Sequence, residues 1–157
     1  QGSNFATVNH QPFRVHELVL VFGKGAITYT PNNNYMKYNP QKTEGEPYQM
    51  KRYGRPTVNL ATKENYKLTD GVYDGMRHPR SIQKFNKETG LHPTQKPTEL
   101  FKYLINTYTN ENDIIVDCCA GSGTTALAAK NINRNYIVND IEYKYVQIIE
   151  DRIKNII

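Results

Sequence analysis

The chain has 157 residues with 20 Lys and Arg against 15 Asp and Glu, a formal net charge of +5; this length holds one ordinary domain with a packed core and excludes two of normal size. The positive excess suits a polyanionic partner, a solvated basic face being the plain alternative. The only cysteines, Cys118 and Cys119, are adjacent, which excludes a disulfide framework and a zinc site, and no apolar run approaches the ~20 residues needed to cross a bilayer.

The cysteine pair therefore reads as two small buried residues in a reducing, intracellular compartment. No signal-peptide pattern opens the chain. It starts Gln1-Gly2-Ser3 without Met, which reads as a processed or excised end, or as a leftover of expression.

Residues 1–30 contain HELVLVFGKGAITYT, an apolar and aromatic run around a Gly-Lys-Gly turn; it predicts a buried strand or hairpin. From 31 to 90 the composition turns to Asn, Pro, Tyr, Lys and Arg without sustained periodicity, as in PNNNYMKYNPQ, YQMKRYGRP and MRHPRSIQKF. A stretch this long and irregular is functional or disordered. Its tyrosines are interleaved with Lys51, Arg52, Arg55, Arg77 and Arg80. Basic groups pair with phosphates and aromatic rings stack on bases, so Lys51, Arg52, Tyr53, Arg55, Arg77 and Arg80 are candidate nucleic-acid contacts. The alternative is a solvated linker with locally packed tyrosines.

Residues 91–157 alternate regularly. Pro97-Thr98-Glu99 opens a helix with Leu100, Tyr103, Leu104 and Tyr108 at helical spacing. Ile114 to Val116 reads as a strand ending at Asp117, TALAAKNIN as a helix, and Tyr136 to Val138 as a strand ending near Asp140. A last amphipathic helix runs from Tyr143 to Ile157, with Val146, Ile149 and Ile153 on one face. This is a βαβ unit of a doubly wound α/β sheet.

Between the first strand and its helix lies Asp117-Cys118-Cys119-Ala120-Gly121-Ser122-Gly123-Thr124-Thr125, where glycines let a ligand approach the backbone. Asp140 follows 19 residues after Gly121, where nucleotide-binding βαβ units place a carboxylate on the ribose hydroxyls; capping the next helix is its other reading. The loop continues Gly-Thr-Thr without Lys, which argues against a phosphate-binding P-loop. The loop alone leaves both a nicotinamide dinucleotide and S-adenosylmethionine open.

The segment from LHPTQKP through DCCAGSGTT to VNDIEYKYVQI resembles the C-terminal half of the β-group DNA amino-methyltransferases, and RVHELVLVFGK and YNPQKTEGEPY are similar to the same family. The resemblance implies a partial Rossmann-like S-adenosylmethionine-dependent methyltransferase sheet carrying a loop-rich basic target-recognition insertion. Asp117, Cys118, Cys119, Ala120, Gly121, Ser122, Gly123, Thr124 and Thr125 would wrap the methionine part of the cofactor, and Asp140 would hold its ribose. His92, Thr94, Gln95 and Lys96 would close the pocket, with Lys96 or Thr94 near the methionine carboxylate. The partner implied is double-stranded DNA, the target adenine N6, and the setting the cytoplasm of a bacterial or phage-infected cell. A cytosine-N4 enzyme and a non-catalytic DNA-binding module with the same fold are the alternatives.

Two departures stand out. Cys118-Cys119 replaces the family's Pro-Phe, whose ring contacts the cofactor, and no Pro-Pro occurs anywhere in the chain, so the family's Asp-Pro-Pro-Tyr motif is absent. No catalytic residue is therefore assigned. The chain is expected to bind without catalysing, to need an N-terminal catalytic segment, and, with a partial sheet, to associate as a homodimer or with that segment.

Overall fold

The computed structural model describes residues 16–27, 32–50 and 71–154. In chain order the elements are β1 (Tyr48–Met50), β2 (Gly71–Tyr73), α1 (Thr98–Tyr108), β3 (Ile114–Asp117), α2 (Thr124–Asn131), β4 (Asn135–Val138) and α3 (Tyr143–Lys154). The chain divides into two compact units, Pro40–Gln83 and Gln1–Asn39 with Lys84–Ile157.

The larger unit is built on β3 and β4, which pair in parallel from Ile114 opposite Asn135 to Asp117 opposite Val138, with α2 as the crossover between them. Asn112 and Asn133 occupy the left-handed region at φ +65° and +59°, a conformation that Asn tolerates in turns. Asn112 N–H donates to the Asn133 carbonyl at 2.9 Å and Asn135 Nδ2 to the Asn112 carbonyl at 2.8 Å, so the entries to the two strands are tied together.

Side chains alternate across this sheet. Ile115, Tyr136 and Val138 pack towards the helices, against two clusters centred on Ile105, Ala128 and Ala129 and on Ala120, Ala126 and Ile149. The alanines of α2 are fully buried, and their small size lets the neighbouring elements approach closely. Ile114, Val116 and Ile137 point the other way and are exposed, Val116 at 69%.

The helices form where the periodicity placed them, but α1 buries a different stripe from the one expected. Thr98, Ile105 and Thr107 are buried and Phe101 packs on the α2 alanines, whereas Leu100, Tyr103, Leu104 and Tyr108 are only partly buried. The spacing fixed the period of this helix; its phase was set by α2 and β3, which no local pattern contains. Residues 16–22 also depart from expectation: they form no strand, and Leu18 and Phe22 are 82% and 87% exposed. A β-run needs a neighbour for its N–H and C=O groups, and here one isolated parallel bridge, Ala26 with Tyr35, follows it instead. The Thr28–Thr30 end of that run lies outside the described residues.

In the smaller unit β1 and β2 pair antiparallel, Tyr48 opposite Tyr73. Their rings stack with centroids 5.1 Å apart at an interplanar angle of 8°, a cross-strand aromatic pair. The expectation of an irregular stretch over 31–90 missed this short ladder, because three-residue strands give no readable alternation.

Candidate functional site

The loop between β3 and α2 is shaped by two glycines and held by carboxylates at both strand ends. Gly121 and Gly123 sit at φ +52° and +79°, where side chains other than Gly are strained. A methyl group at Gly123 would lie 2.6 Å from Ile149 Cγ1, and one at Gly121 would meet the His92 ring at 3.4 Å.

Asp117 closes the start of the loop: one carboxylate oxygen accepts from Cys119 N–H at 3.0 Å and the other from Thr125 Oγ1 at 2.5 Å. Asp140, at the end of β4, reaches across with one oxygen to accept Gly121 N–H at 2.8 Å, while the other accepts Glu142 N–H at 3.0 Å. Asp140 therefore braces the glycine loop, a role the sequence did not suggest, and holds the turn that leads into α3. The N–H groups of Glu142 and Gly121 hold its carboxyl below the ordinary Asp value against the opposing effect of desolvation, and the nearby His92 lowers it further. Each oxygen retains acceptor capacity beyond the one N–H it takes.

Of the residues expected to close the pocket, His92 and Lys96 are brought to the loop. His92 faces Gly121, packs on Tyr145 of α3 with ring centroids 4.5 Å apart, and accepts Thr94 N–H at Nδ1 over 3.1 Å. The Lys96 carbonyl accepts from Thr124 Oγ1 at 3.2 Å, and its ammonium pairs with Glu17 at 2.7 Å. That hydrogen bond lowers the Glu17 pKa in spite of desolvation. Both side chains are partly exposed, so the pair is weak and exchangeable. Thr94 serves the His92 ring, and Gln95 braces its own turn through Leu91 N–H and Glu88.

Cys118 and Cys119 correct the expectation of buried thiols: both are free and exposed, with their sulfurs 4.0 Å apart. The chain leaves the helix-covered face of the sheet at Asp117 and re-enters it only at Ala120, whose side chain is buried.

Two residues that the sequence left unmarked complete the frame. Arg152 of α3 donates from Nη1 to the Ser122 carbonyl at 2.6 Å, pinning the loop from behind. Glu88 accepts Thr98 N–H at 2.7 Å and Thr98 Oγ1 at 3.0 Å, capping α1 from ten positions upstream. Neither has a local signature, since both act on groups far along the chain.

Among the candidate DNA contacts, Lys51, Arg52, Tyr53 and Arg55 lie outside the described residues. Arg77 is exposed, with its guanidinium 5.1 Å from the Tyr48 ring centroid and 3.4 Å from the Glu46 carbonyl. Arg80 is exposed, and its carbonyl accepts from Gln83 Nε2 at 2.6 Å. No group of three or more His, Cys, Asp or Glu residues suited to a metal occurs among the described residues, and no helix there is long and apolar enough to cross a membrane.

The profile of a family described as DNA methylase, N6_N4_Mtase, matches residues 3–151. The chain belongs to this family. Among similar proteins of this kind, the type II methyltransferase M2.LlaDCHI of Lactococcus lactis subsp. cremoris is 42% identical over 94 residues, which cover 57% of this chain and 35% of that protein. M2.DpnII of Streptococcus pneumoniae is 42% identical over 95 residues, again 57% and 35% of the two chains. This methylase-family chain thus spans about a third of the length of these relatives. Among solved structures, a crystal structure of the M1.HpyAVI-SAM complex is 38% identical with a TM-score of 0.41, covering 48% of this chain and 42% of the other. PvuII DNA methyltransferase, cytosine-N4-specific, is 32% identical with a TM-score of 0.39, covering 40% and 22%.

Proposed function

We propose that this chain forms the S-adenosylmethionine-binding part of a DNA amino-methyltransferase that methylates adenine N6 and works in the cytoplasm as part of a restriction-modification system. The observation that carries the reading is the loop 117–125, which joins a parallel strand to a helix and whose Gly121 N–H is held by Asp140, in a chain of the DNA methylase family. The remaining acceptor capacity of Asp140 suits the two ribose hydroxyls. The N-terminus of α2, with no acid in its first turn, suits the methionine carboxylate. Lys96 suits the same carboxylate once it exchanges Glu17 for the ligand.

When bound, the cofactor supplies an electrophilic methyl group on a sulfonium. The residues of this chain bind and orient it: Asp117 and Thr125 fix the loop, Arg152 supports Ser122, and His92 covers Gly121. The reacting amine is a weak nucleophile whose lone pair is delocalised into the base, so the task is chiefly positioning of a base drawn out of the stack. We assign that step to the whole protein with an Asp-Pro-Pro-Tyr type motif. The basic tyrosine-rich stretch 31–90, with Lys51, Arg52, Tyr53, Arg55, Arg77 and Arg80, is assigned to double-stranded DNA.

Calorimetric titration with S-adenosylmethionine tests the site: binding is expected for the chain and lost in Asp140→Ala, and a folded chain that binds nothing would sink the reading. Nucleoside mass spectrometry of DNA methylated by the whole protein tests the target, N6-methyladenine being expected and N4-methylcytosine refuting it. DNA methylation by the 157-residue chain alone would overturn the division of labour.

A further inference from the structure

We propose that Cys118 and Cys119 form a chelating site for thiophilic trivalent arsenicals at the edge of the loop 117–125, and that filling it and filling the cofactor site exclude one another. The second half of this proposal rests on the cofactor reading above; the first does not. Both thiols are free and exposed on adjacent residues, with sulfurs 4.0 Å apart. Asp117 accepts the Cys119 N–H at 3.0 Å, which fixes the backbone between the two side chains.

An ordinary disulfide is a poor outcome for such a pair. It prefers Cα atoms about 4.4–6.8 Å apart, whereas neighbouring residues sit about 3.8 Å apart. A trivalent arsenic atom inserted between the sulfurs relaxes that demand, because the sulfurs need not touch. The neighbouring Cys118 thiol, together with some desolvation and the Asp117 and Asp140 charges, raises the Cys119 pKa, which slows oxidations that proceed through a thiolate.

Arsenical capture is balanced without a redox partner. Phenylarsenous acid carries two hydroxyl groups on arsenic; each leaves as water with one thiol proton, two As–S bonds replace two As–O bonds, and arsenic stays trivalent. Soft thiol sulfur is the fitting donor for such a centre. Since Cys119 precedes Ala120 and Gly121 directly, a phenylarsenic group here occupies the approach to the Gly121 backbone.

The test is intact-mass spectrometry of the chain treated with phenylarsine oxide and then challenged with excess glutathione. The wild-type chain is expected to retain one phenylarsenic group and to release it to 2,3-dimercaptopropanol. Cys118→Ser and Cys119→Ser should release it to glutathione roughly 100-fold faster, because the second thiol acts at high effective concentration only when both are present. Substitution at these exposed positions leaves the fold intact, which circular dichroism checks. Equal release from wild type and single variants, or retention by either variant, would overturn the chelate. Bound S-adenosylhomocysteine, detected by calorimetry, should slow capture; capture unslowed while it is bound overturns the exclusion. Failure of S-adenosylhomocysteine to bind would instead overturn the cofactor reading and leave the chelate standing.

Discussion

At Gly123 two independent constraints meet: a left-handed backbone at φ +79° and the close approach of Ile149. Gly123→Ala should cost about 2–4 kcal/mol, from backbone strain together with overpacking, read as a fall in the urea midpoint. Asp140 shows the electrostatic side of the same loop. Its folded pKa is depressed by the Glu142 and Gly121 N–H groups and by His92. Its contribution is therefore present above the unfolded value of about 3.9 and lost as pH falls through the lower folded value. Asp140→Asn should melt below the wild type at neutral pH, and the gap should close on acidification below about pH 4. Melting curves across that range check the sign, and a gap that widens in acid would refute it. Gly121, Gly123, Asp117 and Asp140 were legible in the sequence because backbone freedom and acceptor chemistry restrict these positions to few residue types. The exposure of Cys118 and Cys119 was not, since small residues fit a buried and an exposed loop equally well.

The behaviour of α1 shows where local pattern ends. Its length followed from the periodicity and from Pro97, yet its buried face is the Phe101–Ile105 stripe because the flat alanine surface of α2 lies there. Its cap comes from Glu88, a residue in the preceding loop with no sequence mark. Glu88→Ala should cost about 1 kcal/mol, within the range for lost helix caps, and should raise amide exchange in the first turn of α1 while leaving α3 unchanged. Arg152 plays the matching part for the glycine loop. Arg152→Ala leaves the Ser122 carbonyl without its charged donor, a loss of about 1.5–3 kcal/mol. Weaker cofactor binding by calorimetry, with α3 helicity retained, is the expected result. The helix–strand alternation from residue 98 onward was readable because each element there is amphipathic over several turns or bounded by turn residues. β1 and β2 are too short to carry such a signal, and the apolar run near Leu18 carried a strand signal but pairs with no strand among the described residues.

For the larger unit, one face of the β3–β4 sheet is covered by helices while Ile114, Val116 and Ile137 stay open to solvent. An apolar face of this kind drives association. The chain should sediment as a concentration-dependent oligomer, and Val116→Lys with Ile137→Lys should shift it towards monomer without loss of helix; a monomeric wild type at high concentration would refute this. The same unit also fixes the two chain ends that flank residues 40–83. Asn39 donates from its backbone N–H to the Thr107 carbonyl at 2.7 Å and from Nδ2 to the Thr109 carbonyl at 2.9 Å, so the chain departs from the last turn of α1. It is fastened again at the first turn through Glu88, and Phe85 packs on Tyr103 at 5.8 Å. The two anchorages are thus separated by one helix length, about 16 Å for the 11 residues of α1. About five extended residues bridge such a gap. Both ends of the intervening stretch are thus riveted to one helix, so a change of sequence or length between Pro40 and Gln83 need not disturb the α1 scaffold that holds them.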